Sequence, residues 1–330
     1  MQEVQMKHTK EYYWWRRNKG FVLASLAWFA IQHGATAQQE ALISNYTYNI
    51  LSINPAFAGS RKSAVVSALY NKQFTGLESG AVQENFTFHA PISYQRFGIG
   101  ASVYSIQQDI FSFSVYSGSL SYKIKLSKGF LSAGMSLGVY QQSINRYALQ
   151  IQDPEDPYLQ DGKSTSLHPD LGAGLFYSTP KLSIGISAQH LLRRLGNAND
   201  GISLFRHYYG IVSKAFSLTH NSSLQAASRL SYTPYAPLLA DISTFYVFKQ
   251  LHSTGVTYRT SGQLSFQLRL GFHPSFSTFS PLFYIAYAYD YNLGTNRVYV
   301  KGSHELMLIA ELSTLKKPGK DKPVISPLLF

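Results

Sequence analysis

The chain has 330 residues, a formal net charge of +12 and no cysteine, which excludes disulfide staples, thiolate metal sites and cysteine nucleophiles. Only 14% of the residues are charged, against about 25% in ordinary soluble domains, while Tyr (24) and Phe (21) are abundant. The first 37 residues account for a net three of these charges and the rest sit at turns instead of along one face, so the basic balance does not point to nucleic acid.

The first element is an export signal. Arg16, Arg17 and Lys19 form a basic region, "GFVLASLAWFAI" (20–31) is an apolar core of 12 residues, and "ATA" (35–37) offers small residues at a cleavage site. The apolar run is shorter than the roughly 20 residues of a spanning helix, and no later stretch reaches that length. The reading is a Sec signal peptide over 1–37, with a mature chain from about Gln38 and no disulfide in an exported protein.

Next comes a segment over 38–61 that contains "NPAFAG" (54–59). Asn54-Pro55 marks a turn and Gly59 permits a further reversal, yet Ala56, Phe57 and Ala58 between them are apolar. A turn of that composition requires a packing partner.

From residue 62 the dominant pattern has period two. In "VYSGSLSYKIKL" (115–126), Tyr116, Leu120, Tyr122, Ile124 and Leu126 alternate with Ser117, Ser119, Ser121, Lys123 and Lys125. One face is greasy and the other polar, as in a strand with lipid on one side and a lumen on the other. About fourteen such runs are counted, near 62–70, 81–91, 97–107, 111–125, 129–144, 167–178, 181–192, 205–217, 221–233, 239–248, 252–260, 263–272, 281–291 and 302–313. Connections after odd-numbered runs are mostly long, such as "NRYALQIQDPEDPYLQDGKSTS", and those after even-numbered runs mostly short, such as "LSK" and "TP". That parity suits short periplasmic turns and longer outer loops. The expected fold is an all-β transmembrane antiparallel barrel over 62–313, with both termini periplasmic.

Lys123, Lys125, Lys128, Lys181, Lys214 and Lys249 fall at the short-turn end, and the acidic "DPEDPYLQD" (153–161) in a long loop. The lysines either solvate turns or form a positive rim that docks an acidic partner. The basic tail over 314–330, rich in Pro and Lys, does not continue the last strand. "GIGAS" and "GAG" follow strand alternation and relieve crowding or bend strands instead of cradling phosphate. In "GSHELMLIAEL" (302–312), His304 and Glu305 point to opposite faces of one strand. They are either polar residues at a strand mouth, or one faces inward to a plug or a neighbouring strand.

No metal-ligand spacing and no nucleophile motif is present, so neither an enzyme nor a cofactor is expected. With few charges, the inward faces are expected to be mostly Ser, Gln and Gly, which disfavours ion selectivity.

Asn54, Pro55, Phe57 and Gly59 of "NPAFAG", together with Tyr289, Asp290 and Tyr291 and then Gly302, Ser303, His304 and Glu305, resemble the opening and closing motifs of the PorP/SprF family of Bacteroidetes. "DLGAGLFYSTPKLSIGISAQHLL" (170–192) is similar to its central hairpin. The resemblance implies an outer-membrane barrel of the type IX secretion system, working in protein secretion or gliding motility. Its implied partners are outer-membrane lipid, periplasmic ring and linker components of that system, and the C-terminal domain of a secreted adhesin-like substrate (type B signal). The implied role for "NPAFAG" is a plug or docking surface at the periplasmic mouth, with Phe57 as anchor. The alternative function is an outer-membrane porin or hydrophobic-solute channel.

Overall fold

The computed structural model describes residues 43–61, 63–77, 80–92, 96–148, 162–192, 205–234, 236–274, 281–294 and 301–312. The export signal, the loop 153–161 and the tail 314–330 lie outside them.

Fourteen strands form one closed antiparallel barrel in chain order, with β1 paired to β14. They are β1 (Ala64–Lys72), β2 (Val82–Ile92), β3 (Phe97–Gln108), β4 (Phe111–Lys125), β5 (Phe130–Asn145), β6 (Lys163–Ser178) and β7 (Leu182–Gln189). They continue as β8 (His207–Ser217), β9 (Ser222–Tyr232), β10 (Leu239–Phe248), β11 (His252–Arg259), β12 (Gln263–Phe272), β13 (Leu282–Asn292) and β14 (Ser303–Leu312). Closure satisfies the backbone polar groups across the spanning band, the condition for crossing a bilayer with strands. The fourteen alternating runs thus correspond one to one with strands, although β6 begins at Lys163, ahead of the run expected from 167.

Burial alternates along most of β10, β12 and β14. The exposed positions include Ile242, Phe266, Leu268, Leu270, Leu306 and Leu308, while Ser243, Gln267, Arg269 and Glu305 face inward. That inversion of a soluble protein's order is stable only against lipid. The expectation of inward Ser, Gln and Gly fits most of β3–β7, with Lys123 and Asp170 as charged exceptions, whereas β9–β14 carry Arg229, Asp241, Arg259, Arg269, Asp290 and Glu305 inside. Isolated charges in dry surroundings are costly, and here they are paired with one another or held on the chain that fills the lumen.

That filling is the segment Ile43–Ser60. It contains three single 3-10 turns, Tyr46–Tyr48, Ile50–Ser52 and Pro55–Phe57, and almost all its side chains are buried. Two apolar clusters form around it. One joins Ile43 and Tyr48 to Val65, Leu69, Phe245, Tyr284 and Met307. The other joins Ile50, Leu51, Ile53 and Ala56–Ala58 to Phe176, Tyr209 and Ile211. Inward apolar side chains therefore occur where the segment packs.

Candidate functional site

The lower half of the plug is "NPAFAG", seated against β2–β7 at the mouth where β1 begins. Asn54 starts the turn: its Oδ1 accepts from the Ala56 amide at 3.0 Å, and Pro55 takes the first helical position, where it needs no N–H. The Asn54 Nδ2 donates to the carbonyls of Leu175 at 3.0 Å and Ile186 at 3.3 Å, one on β6 and one on β7. Phe57 lies edge-on to Phe176 at 5.3 Å and to His89 at 5.4 Å. Gly59 has φ +59°, a left-handed turn that favours glycine. Its carbonyl accepts from Lys123 Nζ, and the Ala58 carbonyl accepts from Ser121 Oγ at 2.7 Å.

The wall is cut back to receive this turn. A Cβ on Gly134 would stand 2.5 Å from the Ala56 backbone, and one on Gly98 would stand 2.1 Å from the Ala58 carbonyl oxygen. These two glycines are used for close approach of one backbone to another.

The upper half is held by polar groups of β9–β14. The amides of Ser44 and Asn45 donate to Glu305 Oε2 at 2.9 Å and Oε1 at 2.8 Å, and Ser44 Oγ donates to Asp290 Oδ1 at 2.7 Å. The Ile43 carbonyl accepts from Arg229 at 3.1 Å. Arg229 and Arg259 both pair with Asp241. Tyr46 lies beneath the Arg229 guanidinium at 4.3 Å and its hydroxyl bonds Ser243 at 3.2 Å. Burial pushes the Tyr46 phenol up to about 12, which keeps it a neutral hydrogen-bonding group. Tyr48 meets Ser253 at 2.9 Å and lies under Arg269 at 5.0 Å, and Asn49 bonds Asn85 on β2 at 2.7 Å.

The two terminal motifs meet through this plug, and alternation divides the closing one. Asp290, Ser303 and Glu305 are buried on the inner side. Asp290 and Glu305 hold Ser44, whereas Ser303 Oγ accepts from the Phe74 amide at 3.2 Å and ties down the β1–β2 loop. Tyr289 and His304 pair across the outer face, their rings 5.1 Å apart. Tyr289 also donates to the Lys301 carbonyl at 2.7 Å.

Lys125, Lys128, Lys181, Lys214 and Lys249 are exposed at the short-turn end. Lys123 departs from them because it turns inward to the Gly59 carbonyl. Ser44, Arg229, Asp241 and Arg259 escape sequence reasoning. The available signal was a charge on the polar side of an alternating strand, which a lipid-facing wall tolerates only toward the lumen.

A closed strand barrel, apolar outside and filled inside by its own chain, defines an outer-membrane β-barrel with a plugged lumen. The chain belongs to the PorP/SprF family: the family model described as type IX secretion system membrane protein PorP/SprF matches residues 35–309. No curated protein sequence matches the chain. Among solved structures, a FadL homologue of Pseudomonas aeruginosa is similar at 13% identity, over 81% of this chain and 93% of that one, with a TM-score of 0.47. The toluene transporter TbuX of Ralstonia pickettii is similar at 12% identity, over 81% and 92%, with a TM-score of 0.46.

Proposed function

We propose that this type IX secretion barrel is a docking protein: it binds an exported substrate, or a periplasmic ring or linker component, and passes no solute. The observation that carries the reading is the occupied lumen. Ile43–Ser60 bonds inward side chains or backbone of β2, β4, β6, β7 and β9–β14, which supports a rigid platform over a porin or hydrophobic-solute channel. The short-turn end faces the periplasm on this reading. There the exposed Lys125, Lys128, Lys181, Lys214 and Lys249 form a positive rim suited to an acidic partner, and Phe57 anchors the floor between them.

The test is affinity capture of the tagged barrel from detergent-solubilised outer membranes, with mass spectrometry of the proteins retained. Recovery of a large secreted protein's C-terminal domain, or of ring lipoproteins, is the expected result. A partnerless barrel that conducts in planar bilayers overturns the reading in favour of transport.

A further inference from the structure

Two motif residues take no part in holding the plug: His304 and Tyr289 lie on the outer face of the barrel. Directly paired residues of adjacent strands share a face, so the registers of β2, β1, β14 and β13 sort the outer face of the closing seam into rows. Nearest the short turns is Phe88, Val66, Ala310 and Phe283. The next row is Phe86, Ala68, Leu308 and Ile285, and both are wholly apolar. The third, Glu84, Tyr70, Leu306 and Tyr287, is mixed, and the fourth is Val82, Lys72, His304 and Tyr289. The apolar band of the seam therefore ends at Tyr70 and Tyr287, as aromatic residues mark a membrane interface. Lys72 and His304 stand just beyond it, at headgroup level on the long-loop end.

His304 is fixed there by two tyrosines. Its Nδ1 bonds the Tyr287 hydroxyl at 2.7 Å, and its ring lies 5.1 Å from that of Tyr289. The Tyr289 hydroxyl is in turn tied to the Lys301 carbonyl. With Nδ1 engaged, Nε2 is the ring nitrogen left for a ligand. Lys72 sits directly opposite His304 across the seam, where paired Cβ atoms stand about 4.5–5.5 Å apart. Its ammonium therefore reaches the same acceptor as Nε2. Both residues are exposed, and Lys72 has no ion-pair partner among the described residues. The carboxylate on these rows is Glu84, diagonal to Lys72 on β2. Two converging donors at headgroup level, above an apolar strip that receives acyl chains, match the chemistry of an anionic lipid.

We propose that Lys72 and His304 hold the phosphate of an outer-leaflet glycolipid, Lys72 through its ammonium and His304 through Nε2. A phosphate offers several acceptor oxygens, which an ammonium and a ring N–H share at this spacing. The acyl chains run down Leu306 and Leu308 beneath it. Glu84 opposes the phosphate charge and limits the affinity. A lipid bound there bridges β1 and β14, the pair that closes the barrel. The site depends on the long-loop end facing outward and is independent of what docks at the other mouth.

The experiment is native mass spectrometry of the detergent-purified barrel titrated with lipid A, its dephosphorylated form, or phosphatidylglycerol. Lipid A is expected to be retained best. Lys72→Gln/His304→Gln is expected to weaken that retention about tenfold or more, the loss of at least one charge-assisted bond. The same variant should keep the heat-resistant gel mobility of the folded barrel, since both side chains are exposed. Lys72→Arg should hold the lipid, and Glu84→Gln should tighten it. Lys214→Gln/Lys249→Gln, at the opposite end, should leave lipid A binding unchanged. Equal retention by the Lys72/His304 variant, or equal retention of the dephosphorylated lipid, overturns the proposal. Complete displacement by inorganic phosphate assigns the site to the free ion and overturns it as well. A preference for phosphatidylglycerol that depends on Lys72 and His304 puts this end in the inner leaflet, and overturns the orientation together with the proposal.

Discussion

The amide of Ser44 donates to Glu305 Oε2 across 2.9 Å, although the two residues are 261 positions apart in the chain. The neighbouring Asn45 amide takes the other carboxylate oxygen at 2.8 Å. One side chain of β14 thus fixes the upper end of the plug while β1, which directly follows the plug, pairs with β14 from Ala64 opposite Leu312. The bond and the seam tie the same two parts of the chain together.

Glu305→Ala leaves two buried amides without an acceptor. Each unpaired group costs about 1–3 kcal/mol, so the variant should unfold at lower temperature in detergent, and its N-terminal segment should be cut sooner by protease. Glu305→Gln retains one acceptor oxygen and should fall between the two. Thermal melts followed by gel mobility give the order.

Phe57→Ala removes a ring that packs on Phe176 and His89 inside the lower cluster. Truncating a buried phenylalanine costs about 3–5 kcal/mol. The expected outcome is loss of protection of the segment around residue 57 with the barrel still closed. Unchanged protection would remove Phe57 from its place as anchor.

Gly134→Val and Gly98→Val place carbon atoms where the plug backbone lies. Both should expel "NPAFAG" and increase its cleavage by protease. Gly118→Ala is the control, since a Cβ there meets nothing within 4 Å. Equal cleavage at all three positions would show that the clearance at Gly134 and Gly98 does not seat the plug.

Replacing Lys125, Lys128, Lys181, Lys214 and Lys249 by Glu should release an acidic partner. Raised salt should do the same for the unaltered barrel, because exposed charges are screened over about 10 Å at 0.1 M. Lys123→Met should behave differently. It removes a donor to Gly59, loosening the plug without altering the salt dependence of capture. Partner retention by the five-lysine variant would separate the rim from binding.

The wall of this protein was legible in the sequence because lipid and lumen face alternate residues, and period two is a local property. The run "QLSFQLRLGF" announces β12 without knowledge of any other strand. The motif pairs were legible as well: Asp290 and Glu305 could be placed on strands, and opposite faces assigned to His304 and Glu305. What those inward groups meet was not legible. The contacts of Ser44 with Asp290 and Glu305, of Arg229 with Asp241, and of Lys123 with Gly59 depend on a non-strand segment entering the lumen. No periodicity encodes that path.

Glycines show the division most plainly. Gly98, in "GIGAS", reads as relief of crowding, and only the folded chain shows that the crowding atom belongs to Ala58; Gly134 on β5, which no motif singles out, makes the same room for Ala56. The sequence by itself determined the alternating wall and its charges. The tertiary structure decided what fills that wall, because those contacts join segments far apart in the chain.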